Sequence, residues 1–184
     1  VAYAKANGYD GLIVRNVIDT MDTADTTKSD VAVTFSGGQA RITGEASGPS
    51  YTAQTSKMGG PRFSRAQVNT PAFKRWFGDS KVVDAQGRPL RLYHGTPYPE
   101  FDQFSKDMIG ENFGQDKQGF FFTTDPDRAS DYAQYDEIGM PTSGGQVIPV
   151  YLSMKNPLVV KVAGDQDTLI RAYDKAKSQL LEQA

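Results

Sequence analysis

The sequence predicts an α+β domain of several short strands and a few helices, and three features predict it. Short apolar runs recur along the chain: Leu12-Ile13-Val14, Val31 to Phe35, Val147 to Leu152 and Leu158 to Val162 read as strands. Two helix starts are written out in full, Thr70-Pro71 and Asp125-Pro126, each a capping side chain followed by proline at the first helical position. The 184 residues, 38% hydrophobic and 23% charged, suit a soluble globular chain with a sizeable core.

Taken in order, Val1 to Asn7 has alanine-rich helical character, and Gly8 is placed to end it in a left-handed cap. The strand Leu12-Ile13-Val14 follows, then the Thr- and Asp-rich stretch 19–30, read as an exposed loop, then the strand Val31 to Phe35. Residues 1–42 thus form one structured segment. Residues 43–66 are dominated by Gly, Ser, Thr and Pro without a sustained period, and read as a flexible linker. Over 67–184 order returns. Phe73, Trp76 and Phe77 share a face of the helix begun at Thr70, and Val82-Val83, a turn at 85–89 and Leu90 to His94 suggest a hairpin-like pair. Gly119 to Thr123 is an aromatic strand, and Ala129, Tyr132 and Ala133 share a face of the helix capped by Asp125. An amphipathic helix over 167–184, with Leu169, Tyr173, Ala176 and Leu180 on one side, closes the chain.

Composition excludes several classes. There is no cysteine and a single histidine, His94, so disulfide frameworks, cysteine nucleophiles and cysteine- or histidine-rich metal sites are ruled out; no metal is expected. Twenty Lys and Arg against 22 Asp and Glu give a net charge of −2, which disfavours nucleic acid as partner. No apolar run approaches the ~18 residues of a membrane helix, and no basic-then-apolar leader opens the sequence. A cytoplasmic location is expected. The chain begins without Met and in what reads as the second half of a helix, while its last helix stops without a cap. Joined end to start, the two ends make one helix-to-strand unit, which predicts a rearranged order of segments.

The chemistry-bearing signals are Leu92-Tyr93-His94-Gly95-Thr96, a strand ending in a lone histidine and a glycine, and Gly119-Phe120-Phe121-Phe122-Thr123 with its capped helix reaching Tyr132. Each alone is as well explained by core packing. Together with Trp76-Phe77-Gly78-Asp79-Ser80-Lys81-Val82-Val83-Asp84, Val150-Tyr151-Leu152 and Asn156-Pro157-Leu158, in that order, they resemble the ADP-ribosyltransferase domain of phage polyvalent proteins, in the His-Tyr-Glu branch that includes the poly-ADP-ribose polymerases. The resemblance covers residues 70–162. It implies two small packed sheets around an NAD cleft with flanking helices. The family's closing segment, which normally comes last, resembles Gly8 to Val14 and Ser29 to Gln39 here. That implies either a circular permutation with 43–66 as the joining linker or a cut across tandem copies. A linker of about 24 residues spans roughly 25–30 Å as a coil, ample for joining the ends of a compact domain.

The resemblance also implies site roles. His94 corresponds to the histidine that hydrogen-bonds the ribose next to nicotinamide, donating to the sugar, and the Gly95 backbone to the clamp on the carboxamide. Phe121 takes the place of the second-motif tyrosine and Tyr132 that of the tyrosine stacked on nicotinamide. Thr96 and Gly119 complete the NAD-binding set. The serine that contacts the amide falls on Ala129, with Ser130 adjacent. The third-motif glutamate falls on Val31, with Asp30 one residue before it. Asp30 is the candidate catalytic carboxylate, reachable only through a bulge because alternation points the two residues to opposite faces. Glu111 and Glu137 are alternatives, and Gln39 is a candidate for fold closure.

The implied reaction moves ADP-ribose from NAD, as substrate, to a macromolecule such as a host protein, releasing nicotinamide without metal. Loss of the third-motif glutamate favours single over repeated transfer, or no catalysis at all, and a toxin- or effector-like character is expected of the chain. The rivals are a catalytically inactive module that binds NAD, ADP-ribose or a protein, and a nucleic-acid-modifying transferase or nuclease-like toxin, which the net charge argues against. Tandem copies would allow exchange of residues 1–42 between neighbouring molecules.

Overall fold

A computed structural model describes residues 1–19, 26–43, 67–98, 104–105, 119–135, 140–142 and 144–162. The helix predicted over 167–184, Glu111, Glu137 and residues 44–66 lie outside the described residues. Among those described, no helix is long and apolar enough to cross a membrane.

The elements in chain order are α1 (Ala2–Ala6), β1 (Gly11–Ile18), β2 (Lys28–Thr34), β3 (Ala40–Ile42), α2 (Pro71–Phe77), β4 (Leu92–Thr96), β5 (Phe120–Thr123), α3 (Pro126–Gln134), β6 (Gln146–Leu152) and β7 (Pro157–Lys161). Both written-out caps form: the Thr70 side chain accepts from Phe73 N–H and the Asp125 side chain from Asp127 N–H. Gly8 adopts φ 77° after α1, as expected of a left-handed residue there.

The strands make a seven-stranded sheet in the order β3-β6-β4-β5-β2-β1-β7. Where two packed sheets are expected, one sheet is found, pinched at its middle: only Tyr93↔Thr123 pairs β4 with β5, against five pairs between β4 and β6 and four between β2 and β5. The hairpin expected over 82–94 reduces to one bridge, Val83↔Pro89, because β4 takes its partners from β5 and β6 instead. β1 runs four residues past Val14 to Ile18, through a bulge between Val14 and Val17 where Asn16 sits at φ 61°. The predicted loop 19–30 is correspondingly shorter, since Lys28 to Asp30 already belong to β2.

One face of the sheet buries Ile13, Ala32, Leu92, Phe120, Phe122, Ile148, Val150 and Leu152; the other buries Leu12, Val14, Val31 and Val33. Each such side chain contributes roughly 1.5–3 kcal/mol on leaving water. β1 and β2 are therefore central to the core although they come from the N-terminal segment.

Contacts of Asp10, Gly38, Arg41 and Thr43 tie that N-terminal part to the body, and Gln39 closes it on itself. Asp10 accepts from the Lys155 and Asn156 N–H groups (2.6 and 3.0 Å), so the turn signal at Asp10 and the strand break at Lys155-Asn156-Pro157 are two halves of one junction. It sets the parallel register Gly11↔Pro157 of β1 on β7. Gln39 accepts from the Phe35 and Ser36 N–H groups (3.1 and 3.0 Å) and donates to Asp10 O (2.7 Å), closing the end of β2 onto the start of β1. Trp76 Nε1 donates to Gly38 O (3.1 Å), and Arg41 lies 4.6 Å from the centre of the Trp76 ring. Thr43, at the first position of the predicted linker, donates to Pro149 O through both N–H and hydroxyl.

Candidate active site

The pinch between β4 and β5 is where the two chemistry-bearing motifs meet. The pair Tyr93↔Thr123 sets His94 beside Phe122 and Gly95 beside Phe121 in an antiparallel arrangement. His94 points to the Phe122 face, its ring 5.5 Å from Phe122 and 5.2 Å from Phe104. Tyr93 and Gly95 point to the opposite face, where α3 packs.

His94 Nδ1 lies 2.8 Å from Phe121 O. A carbonyl oxygen only accepts, so Nδ1 carries the proton. Burial pushes the ring's pKa below the ordinary histidine value, outweighing the upward pull of the Phe121 carbonyl. The imidazole is therefore neutral at pH 7, and Nε2 bears the lone pair.

Gly95 is a glycine for a packing reason. A Cβ there would collide with the Ala129 carbonyl oxygen of α3 and come within 3.0 Å of Tyr132 Cβ. Gly145, at the entrance of β6, stands in the same relation to Ala133 O, one helical turn further on. Together they seat α3 flush on β4 and β6, which sequence reading of Gly145 missed. Gly119 has its own close approach: a Cβ would lie 2.5 Å from Thr34 O and 2.7 Å from Val33 Cγ1, so the bare backbone lets β5 close on β2.

Tyr132 is half-buried on α3, and its hydroxyl donates to Asp19 Oδ1 at 2.8 Å. Burial first, and the Asp19 charge second, hold the phenol well above its ordinary pKa, so it stays a donor. Asp19 is itself buried, at 9% exposure, just past the end of β1. Nothing in its Thr- and Asp-rich surroundings singles it out in sequence.

The other predicted residues fall as follows. Phe121 pairs with Val33 and lies against the cluster containing Val31 and Val33. Thr96 is buried, with its hydroxyl accepting from Tyr98 N–H (3.3 Å). Ala129, at the serine position, is buried against Gly95. Ser130 is about 100° further round α3, and its hydroxyl accepts from Gln134 Nε2 at 3.4 Å. The bulge beside Asp30 lies in β1 and not in Asp30's own strand, and it engages the carboxylate, which accepts from Arg15 Nη1 and from Asn16 N–H (2.9 Å). Its strand lies two places from β4 in the sheet, about 10 Å away at the usual strand spacing. Val31, at the glutamate position, is buried at 1% exposure. Among the described residues no three His, Asp or Glu side chains converge as metal ligands.

A groove of about 650 Å³ lies elsewhere, between α2 and the turn before β4, lined by Phe73, Lys74, Arg88, Arg91 and Tyr151 among others. It includes none of the residues around His94. The residues singled out in sequence therefore lie at the β4–β5 pinch and not in this groove.

Residues 84–184, more than half of the chain, match the family model described as ADP-ribosyltransferase in polyvalent proteins. No curated protein and no solved structure matches. The matched range begins just before β4 and contains the histidine strand, the aromatic strand and α3. The chain belongs to the ADP-ribosyltransferase family of polyvalent proteins.

Proposed function

We propose that this chain transfers a single ADP-ribose from NAD to a protein acceptor, releasing nicotinamide, at the β4–β5 pinch. The observation that carries the proposal is the meeting at this pinch of the Gly95 backbone with Tyr132 on the α3 face of the sheet and of the neutral His94 ring on the other face. Pairing of β4 with β5 stops at Tyr93↔Thr123, so on that side the backbone at Gly95 is not consumed by the ladder and is open to a carboxamide. Tyr132 supplies a flat wall for the pyridine ring, and His94 Nε2 accepts a ribose hydroxyl. These contacts fix the sugar and the leaving group on either side of the bond to be broken.

In the reaction the C1′–N bond breaks and its electron pair discharges the pyridinium, so nicotinamide leaves neutral. The acceptor's lone pair forms the new bond to C1′ and the acceptor gives up its proton. NAD enters as substrate, and this chain's residues bind and orient it. We further propose that the segment order is permuted. The reading is supported by the place of β1 and β2 in the sheet, between β5 and β7, although both precede the matched range in sequence.

A second reading, an NAD-binding module without turnover, draws on Val31: an apolar buried residue stands where the family's carboxylate begins the last strand. The two are separated by incubating the purified chain with labelled NAD and candidate host extract. Label on protein, matched by released nicotinamide and lost in His94→Ala, is the result expected of a transferase. NAD binding without either product would establish the second reading.

A further inference from the structure

We propose that Asp19 is a positioning residue of the nicotinamide site, its carboxylate holding Tyr132 as the stacking wall without itself touching the reacting sugar. The proposal rests on the NAD reading given above and deepens it by naming what orients that wall. Four observations support it. The Tyr132 hydroxyl reaches Asp19 Oδ1 at 2.8 Å, across 113 positions of sequence, so the bond ties the end of β1 to α3. Asp19 follows a strand whose pairing with β2 continues to Ile18, which gives the carboxylate a rigid base. The other end of Tyr132 is fixed too, since its Cβ sits against Gly95 at the helix–strand contact. The alternative carboxylate, Asp30, is engaged by Arg15 and Asn16 on a different strand edge.

The physical consequence follows from the phenol's geometry. A tyrosine ring has two free torsions, and anchoring both its Cβ and its hydroxyl removes them before the ligand arrives. A preorganised wall loses less entropy when nicotinamide stacks on it. An ionised carboxylate is an acceptor only, so Tyr132 must donate, and the hydroxyl is directed to Asp19 instead of the ligand. Burial of Asp19 makes the bond strong, because water competes weakly for either group. Through this bond the N-terminal segment takes part in a site otherwise built from residues of the matched range.

The test uses Asp19→Asn, Asp19→Ala and Tyr132→Phe on the whole chain, with NAD binding read by calorimetry and tyrosine ionisation read by ultraviolet titration. Asparagine keeps an oxygen for the phenol and removes the charge; alanine removes both. The expected results are NAD affinity within about threefold of wild type for Asp19→Asn and at least about tenfold weaker for Asp19→Ala. The alanine effect should shrink in the Tyr132→Phe background, because Asp19 acts on the stacking wall through that hydroxyl. In the free protein, the ionisation assigned by subtraction of Tyr132→Phe should move down towards the ordinary tyrosine range of about 10 in Asp19→Asn. Should Asp19→Ala not fold, Asp19→Asn and Tyr132→Phe carry the test through the titration.

Three results would overturn the proposal. Unchanged affinity in Asp19→Ala beside normal wild-type binding removes it alone. Loss of turnover in Asp19→Asn with NAD affinity intact makes Asp19 a reacting group instead. An unmoved tyrosine titration shows that the pair is not formed. Absence of NAD binding by wild type would instead overturn the NAD reading itself, and the titration of the free protein would still report on the pair.

Discussion

Gly95→Ala tests how tightly α3 is seated on β4. The added methyl would collide with the Ala129 carbonyl oxygen and lie 3.0 Å from Tyr132 Cβ. Neither neighbour is the loose end of a flexible side chain. Ala129 is buried at 1% exposure within a helix whose next turn is held against Gly145, so α3 must shift as a unit or β4 must bow. Overpacking of this kind costs about 1–3 kcal/mol. For a domain of this size each kilocalorie lowers Tm by roughly 2–4 °C, which gives a fall of about 2–12 °C. Gly87→Ala is the control: Gly87 has φ 74° with no atom within 4 Å, so only backbone strain of about 1–2 kcal/mol applies, with no effect on ligand. The assay is thermal unfolding by circular dichroism together with NAD calorimetry. Gly95→Ala is expected to lose both stability and NAD binding, and Gly87→Ala stability alone. A Gly95→Ala protein with wild-type Tm and affinity would refute the seating of α3 on β4.

Two further predictions concern the framework and the histidine. Gln39→Ala removes three hydrogen bonds that close β2 onto β1 and leaves the Phe35 and Ser36 amides without their acceptor. It should cost about 2–4 kcal/mol in urea unfolding, at roughly 1 kcal/mol or more per bond, whereas a change under about 0.5 kcal/mol would mean that the closure is not made. His94 has its pKa lowered on folding, so below the unfolded value of about 6.5 the unfolded chain binds the extra proton and the folded one resists it. The stability of wild type relative to His94→Gln should therefore be full above pH 6.5 and decline as pH falls below it, by up to about 1.4 kcal/mol per pH unit. A difference that stays flat or grows towards acid would contradict a buried neutral ring.

Much of the framework is legible in sequence because its signals are local. Thr70-Pro71 and Asp125-Pro126 announce α2 and α3 by capping chemistry, and the caps form with those side chains. The strands β5, β6 and β7 are apolar enough to stand out. β3 is not, since its three residues are half-buried or exposed and owe their strand geometry to pairing with β6. The far half of β1 is hidden for a different reason: Arg15 and Asn16 break the apolar run at a bulge, and that bulge exists to meet Asp30. Asp10 with Lys155 and Asn156 illustrates the general limit. Each reads correctly as a turn or a break, yet their partnership spans 145 residues and no local pattern encodes it.

The site divides in the same way. His94, Gly95 and Tyr132 are proposed from sequence by the order of their motifs, and the fold places them about the β4–β5 pinch. The proton on His94 Nδ1 follows only from the Phe121 carbonyl opposite, a tertiary fact. Asp19 is likewise invisible until β1 carries it to Tyr132. Carboxylates are the hardest residues to assign in sequence, because their role depends on which cation, amide or hydroxyl they meet.

Whether nicotinamide is held at the pinch between β4 and β5 is decided by a crystal structure of the chain with nicotinamide bound. The carboxamide is expected on the Gly95 backbone and the ring against Tyr132. Nicotinamide seated in the groove beside α2, or anywhere away from Gly95, would contradict that placement.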